Sequence, residues 1–512
     1  MKRKKINRRE FIKLGAASGA ALMLGGITAC GVSSDADSPA GESGGQNSES
    51  PKIENREFDV IIAGAGPGGC LAALRLAQQG FSVGLFDSAN EDKVGKQVVL
   101  AVERDIFKSV GLAYPIGDIL AYENDRERIF SPNGKECFQI DCSQYPMPQN
   151  IHLDRFTRSI FAEAIKKGAM FFGGYKAVMP LCSAKRVYGA RFESPDGTAE
   201  VKARLVIDAT GYSAALSRNL PASFDLRFKE SSSDIVSAAN RFYTIDDDAA
   251  RMAIEKGLQG AEEGWNRMGK LGVYSTFFSC LSLKKGEAYV LTGCKKAFET
   301  PDISAKAAAD KFMDEQGYFN EKISAAEALI RISNSLDAPV ADGFMAIGEA
   351  ACQTVTIHAS GVASSLYAGH LAAKAASEAL RAGDTSRKAL WPYAATYQTT
   401  RGANIAGLEV TRQTIDRLTV EDVNILIESG IMHKEDYIGG VLVNEPAITP
   451  ASIPDRMDGF LKHPAYIPVL LKMGLTAQQV SKHYKKYPDR YDLQAFSDWR
   501  VEKDKLFSSI RG

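Results

Sequence analysis

Glu57-Phe58-Asp59-Val60-Ile61-Ile62-Ala63-Gly64-Ala65-Gly66-Pro67-Gly68-Gly69, followed by Cys70-Leu71-Ala72-Ala73-Leu74-Arg75-Leu76-Ala77, decides the fold. Residues 57–63 are a short apolar run of buried-strand type, and residues 70–77 carry apolar side chains in a helical pattern. A second strand, Ser82-Val83-Gly84-Leu85-Phe86, ends at Asp87. In this order the pieces read as a dinucleotide half-site. Gly64 makes the tight turn, Gly66 lets backbone approach a pyrophosphate, and Gly69 lets helix pack on strand. The helix N-terminus stabilises phosphate charge. Asp87, about 20 residues on, is placed to accept hydrogen bonds from a ribose. The half-site alone does not separate FAD from NAD.

Two later segments extend the pattern. Arg186–Phe192 and Glu200–Val206 read as strands, with Pro195-Asp196-Gly197 as turn chemistry between them. They run into Val206-Ile207-Asp208-Ala209-Thr210-Gly211, whose small residues let backbone pass close to a ligand. The second segment begins at Ala341-Asp342-Gly343-Phe344-Met345-Ala346-Ile347-Gly348-Glu349-Ala350-Ala351. It continues through Thr356-Ile357-His358-Ala359-Ser360-Gly361 into an Ala-rich helix from Val362 to about Ala382.

These segments, with Ile151-His152-Leu153-Asp154-Arg155-Phe156 opening a helical stretch, resemble the geranylgeranyl reductase and para-hydroxybenzoate hydroxylase group of FAD enzymes. The resemblance covers roughly residues 56–220 and 330–385. It implies FAD as cofactor, with Gly64, Gly66 and Gly69 facing the pyrophosphate and Asp87 the adenosine ribose. It further implies that Val178 meets the adenine through its backbone, that Arg155 touches FAD, and that Gly211 belongs to the cofactor site. Gly348 and Glu349 would face the pyrophosphate or ribityl chain, and Gly361 would lie near the flavin ring. Three departures stand out. Glu349 replaces the family's usual Asp, Thr356 replaces a Pro, and no PxxYxWxFP-like segment is present. The resemblance therefore implies fold and FAD rather than a particular substrate.

The first thirty residues read as an address. Lys2, Arg3, Lys4 and Lys5 lead into Asn7-Arg8-Arg9-Glu10-Phe11-Ile12-Lys13, a twin-arginine signal, and Ile27-Thr28-Ala29-Cys30 is a lipid-attachment box. The apolar stretch between is shorter than the about 20 residues of a membrane-spanning helix. The Ser-, Gly- and acid-rich residues 32–52 read as a flexible tether. Export by the twin-arginine translocase and anchoring at Cys30 would place the protein on the extracytoplasmic face of the cytoplasmic membrane.

The chain has 62 basic and 62 acidic side chains, and no basic stripe argues for nucleic acid. Eight cysteines leave seven beyond Cys30. Cys137 with Cys142, and Cys280 with Cys294, are candidate pairs, with buried free thiols as the alternative. No Cys/His spacing suggests a metal site.

His358, placed near the flavin by the resemblance, is the candidate catalytic proton donor or acceptor; the alternative is a helix-start histidine bonded to backbone. Tyr274, Phe277, Phe278 and Tyr289 lie on paired strands of a substrate-side sheet, as pocket lining or as plain sheet packing. No second G-x-G-x-x-G follows a strand, which argues against a separate NAD(P)H domain.

The expectation is an α/β protein with a glutathione-reductase-like FAD-binding (Rossmann) domain, an inserted β-rich substrate domain and a helical C-terminal region. The division is 1–30 signal, 31–55 linker, 56–220 and 330–390 FAD-binding domain, 221–329 substrate domain, and 391–512 helical region. The expected activity is an FAD-dependent oxidoreductase moving hydride or electrons between a small or lipidic organic substrate and a membrane quinone or exported cytochrome. An FAD-dependent monooxygenase and a non-catalytic flavin electron carrier are the alternatives.

Overall fold

The computed structural model describes residues 56–511, apart from 125, 227, 229–230, 249–261, 268–275, 283–285, 301–302, 318 and 445–451. The signal, the tether, Cys30 and Tyr274 lie outside the described residues, as do the side chains of Phe277 and Phe278.

The central sheet has the order Val340–Ala341, Phe344–Ala346, Gly197–Asp208, Glu57–Ala63, Val83–Asp87, Met170–Gly173. From Phe344–Ala346 to Met170–Gly173 its neighbours are parallel, with Ile62 opposite Ile207 and Asp208 opposite Ala346. Val60 and Ile62 pack on the helical side, while Phe58, Ile61 and Ala63 pack on the other. Both faces are covered, which explains the unbroken apolar run from Val60.

Helices Pro67–Ala77, Leu153–Lys166 and Val362–Arg381 cover one face. Pro67 sits in the first turn of its helix, where the missing N–H costs nothing. Helix Val362–Arg381 packs closely on Pro67–Ala77: a Cβ on Gly369 would come within 2.3 Å of Gly68 O, so only glycine allows this approach. On the opposite face, strands Lys176–Cys182 and Val187–Ser194 form an antiparallel meander with Gly197–Asp208. Phe86 stacks between Phe172 and Phe192 there, with ring centroids 4.6 and 4.3 Å away.

A second sheet has the order Lys322–Arg331, Ile235–Thr244, Glu287–Lys295, Thr276–Ser282, Glu262–Arg267, Arg126–Phe130, Cys137–Asp141. Its last two strands come from inside residues 56–220, and Lys322–Arg331 runs past residue 329. The second sheet therefore recruits a hairpin from the N-terminal half, joined by parallel pairing of Glu127 with Gly264. The candidate cysteine pairs are not placed to bond. Cys280 lies opposite Tyr289 rather than Cys294. Cys137 is an exposed free thiol and Cys142 a buried one.

Helices Arg387–Tyr397 and Ala403–Ile415 are joined by a π-helical turn, Gln398–Gly402. Beyond them Ile467–Tyr484 and Leu493–Arg511 close the fold through an aromatic cluster of Trp391, Tyr487, Phe496 and Trp499. No helix among the described residues is long and apolar enough to cross a membrane.

Candidate functional site

The glycine turn is fixed by sterics. Gly64 has φ +108°, and a Cβ there would lie 2.2 Å from Ala209 O. A Cβ on Gly69 would lie 2.0 Å from Gly64 O, so this glycine serves the helix–strand contact. Gly66 differs: nothing stands within 4 Å of its added Cβ, which leaves an open approach to its backbone. Asp87, at the end of its strand, accepts from Ala65 N at 2.6 Å through Oδ2 and from Ala89 N at 2.8 Å through Oδ1. The carboxylate is thereby held beside the turn. Asp208 plays a holding part of its own: it accepts from Thr210 N, Ser217 N and Leu216 N, which shapes the small-residue turn ending at Gly211.

A chamber of about 1110 Å³ opens from this turn. It brings together Gly64, Gly66, Asp87, Gly211, Glu349, His358 and Gly361. Four other expected residues do not line it. Gly69 and Gly348 lie just behind the wall, where Gly348 N donates to Gln353 Oε1 at 2.7 Å. Arg155 is exposed, and its Nη1 donates to Asp118 O at 2.7 Å. The inward face of its helix is carried by Leu153 and Thr157, one helical turn apart, and Arg155 falls between them. The Val178 carbonyl accepts from Asn219 Nδ2 at 3.1 Å, and Tyr175, Lys176 and Ala177 line the chamber in its place.

Glu349 and Arg331 interlock. Glu349 Oε1 accepts from Arg331 N at 2.8 Å, and Arg331 Nη1 donates to Glu349 O at 3.2 Å. Arg331 Nη2 donates to Tyr212 O at 2.8 Å, with its guanidinium 4.8 Å from the Tyr212 ring centroid. Burial pushes the Glu349 carboxyl above the usual carboxylate range, against the opposing pull of Arg331 and Lys96.

His358 lines the chamber, with its surface open to that space. Desolvation by the surrounding wall pushes its imidazole below the ordinary value, with Glu103 opposing the shift and Arg401 adding to it. Ser360 N donates to Nδ1 at 3.3 Å, and the Gly440 backbone hydrogen-bonds the ring. The loop itself is tight. Ala359 has φ +60°, Val355 N donates to Ser360 O and Ala359 N to Val355 O, each at 2.9 Å. Both ring contacts are with backbone.

Beside it lies a buried ion pair that composition alone does not reveal. Arg401, on the π-helical turn, donates to Glu103 through both Nη atoms and to Ser364 Oγ through Nε. Such turns concentrate at functional sites. The side chains are 10% and 14% exposed, and Glu103 lines the chamber.

The residues present fit FAD. The turn at Gly66 is open to a pyrophosphate, Asp87 is positioned for a ribose, and the helix N-terminus at Pro67 borders the chamber. In the loop before Gly361, the buried hydroxyls of Thr354 and Thr356 have no hydrogen-bond partner, and both residues line the chamber.

Comparisons with known proteins agree. Residues 57–256 match the FAD binding domain model. The chain is 23% identical over 468 residues to the digeranylgeranylglycerophospholipid reductase of Sulfolobus acidocaldarius, covering 90% of this chain and 99% of that protein. It is 27% identical to the same-named enzyme of Methanoculleus marisnigri, covering 67% and 82%. Among solved structures, a geranylgeranyl bacteriochlorophyll reductase-like protein from Thermoplasma acidophilum superposes with a TM-score of 0.63 at 19% identity, covering 81% of this chain and 98% of that one. The myxobacterial chondrochloren halogenase gives 0.55 at 15% identity, covering 83% and 97%. These two structures speak to the fold alone. With its FAD-binding domain and its homology to the geranylgeranyl reductases, the chain is an FAD-dependent oxidoreductase.

Proposed function

We propose that this oxidoreductase exchanges hydride or electrons with an extended apolar organic substrate and passes them to or from a membrane quinone or an exported cytochrome. The single observation that carries the reading is the continuity of the chamber. From the nucleotide cradle it runs past hydrocarbon side chains of the second sheet, such as Leu291 and Ile330, to Leu426, Leu470 and Met473 of the C-terminal helices. A site of this length and lining favours a lipidic molecule over a small polar one. The relatives that are digeranylgeranylglycerophospholipid reductases point the same way.

Bound FAD supplies two-electron hydride chemistry. The chain's own part is positional. Asp87 and the open turn at Gly66 hold the nucleotide end, and the interlocked Glu349 and Arg331 fix the loop entering Val362–Arg381. The hydrocarbon wall keeps water away from the reacting carbons. The twin-arginine and lipid-box sequences support an extracytoplasmic, lipid-anchored location, folded before export and away from soluble nicotinamide.

Anaerobic titration of the purified holoenzyme with menaquinol, followed by candidate long-chain alkenes, tests this reading. Bleaching of the visible flavin band by the quinol and its return on adding an alkene are expected. A flavin inert to every quinol and cytochrome overturns the membrane-linked part. Turnover that requires oxygen would assign monooxygenase chemistry instead.

A further inference from the structure

Helix Ile467–Tyr484 has two unlike sides. Leu470, Met473, Ala477 and Val480 recur at helical spacing and are buried, and the first two line the chamber. The opposite side carries Pro468, Leu471, Lys472, Leu475, Gln479 and Lys482, five of them exposed and Leu471 half-buried. Leu475 is 45% exposed, and Leu461, on the short helix Met457–Lys462 that leads in, is 72% exposed. A helix solvated on its outer side carries charged or polar residues there, not two leucines and a proline in its first half.

Charge along this stretch has one sign. From Gly459 to Pro488 the chain has five lysines and no Asp or Glu, in a protein with 62 basic and 62 acidic side chains. Carboxylates border the stretch. Asp455 and Asp458 precede it and Asp489 follows it. Asp422 Oδ1 accepts from the Tyr466 hydroxyl at 2.6 Å, with Glu421 nearby. Helix Leu493–Arg511, whose Trp499 stacks on His483, carries Asp498 and Glu502. The outward stripe itself holds lysine and no carboxylate.

Lysine interleaved with leucine decides the kind of partner. Protein–protein interfaces deplete lysine at their cores. At a bilayer surface the lysine stem lies along hydrocarbon while its ammonium reaches the head groups, and anionic lipid adds attraction. The N-terminal sequence points to the same occupant. Read as a flexible tether, the roughly 25 residues after Cys30 hold the folded part a mean of about 30 Å from the anchor.

We propose that the outward stripe of helix Ile467–Tyr484, with Leu461 ahead of it, lies in the surface of a bilayer containing anionic phospholipid. The chamber wall at Leu470 and Met473 then stands one helix diameter, about 10–12 Å, from the lipid. That shortens the passage of an apolar substrate through water. The inference deepens the membrane-linked, lipidic-substrate reading and rests on it.

The test uses the flavin-loaded full chain carrying Cys30→Ser, so that no acyl group contributes, with vesicles of phosphatidylglycerol and phosphatidylcholine brominated in the acyl chains. Leu475→Trp reports this face, and Tyr188→Trp, on the meander beside the central sheet, reports another. Bromolipid is expected to quench the tryptophan added by Leu475→Trp, over the background of the three native ones, and to spare that added by Tyr188→Trp. Lys472→Gln is expected to weaken vesicle binding about fivefold, the worth of one lysine near an anionic surface. If Leu475→Trp purifies without flavin, Leu461→Trp takes its place. Equal quenching in both variants, as a tether alone would give, overturns the assignment, as does no quenching in Leu475→Trp or unchanged affinity in Lys472→Gln. A dimer that shields the new tryptophan without lipid also overturns it and gives the face to a second copy. If docking fails while the quinol and alkene titration succeeds, the lipidic-substrate reading stands without it. If docking holds and that titration fails, the protein sits on the membrane with other chemistry.

Discussion

Arg401 grips Glu103 through two parallel hydrogen bonds, Nη1 to Oε2 at 2.8 Å and Nη2 to Oε1 at 2.6 Å, between positions 298 residues apart. The pair ties the π-helical turn to the residue that follows strand Val99–Val102, which pairs with Gln149–His152 in a three-stranded sheet, and Ser364 joins it to the helix beginning at Val362. Arg401→Met removes one partner and leaves an enclosed carboxylate uncompensated. The expected loss is about 3–5 kcal/mol in denaturant unfolding. Adding Glu103→Gln should recover a large part of it, because the stranded charge is then gone. A double variant no more stable than Arg401→Met would show that the pair is not coupled.

Two glycines of one motif should fail in different ways. Gly64→Ala forces a Cβ against Ala209 O at a φ of +108°, so misfolded or insoluble protein is expected. Gly66→Ala meets nothing within 4 Å and should leave the fold intact while it lowers FAD content. Far-UV circular dichroism and flavin-to-protein ratio separate the outcomes. Full flavin occupancy in Gly66→Ala would remove this backbone from the nucleotide site.

Asp87→Ala should weaken FAD retention by roughly tenfold to a hundredfold, the worth of hydrogen bonds to a charged group. Dialysis against apo-protein acceptor, with flavin fluorescence as readout, measures it. Unchanged retention would show that the ribose is held elsewhere.

The lowered imidazole of His358 makes a stability prediction with a definite sign. A histidine that binds its proton less readily folded than unfolded favours the unfolded chain on acidification. Its contribution is complete above the ordinary imidazole value near 6.5 and shrinks as pH falls through it. His370, also lowered by burial, acts in the same direction. In His358→Gln the fall of Tm between roughly pH 7 and 5 should be shallower than in the unmodified protein. Parallel curves would show that His358 titrates normally.

Local order made the half-site legible in sequence. Strand, turn, helix and terminal acid each follow from a few adjacent residues, and Gly64, Gly66 and Asp87 stand where those rules put them. Resemblance carried the later segments: Gly211, Glu349 and Gly361 reach the same chamber. Side-chain direction was less accessible. Arg155 falls between Leu153 and Thr157, off the inward face of its helix, which turns its side chain away from the chamber. Nothing in the sequence near Arg126–Phe130 announces that this strand pairs with Glu262–Arg267, because the choice of partner is made by tertiary packing. The same holds for Glu103 and Arg401, which carry no local signature of each other.

The strand order has one more consequence, for biosynthesis. Phe344–Ala346 pairs in parallel with residues 206–208, which in turn lie against residues 61–63, so the far wall of the cradle is the last to be made. A ribosome must deliver the chain past Gly361 before the nucleotide has a complete seat. Loading is thus a late event, and shortened products ending before that point would accumulate without colour.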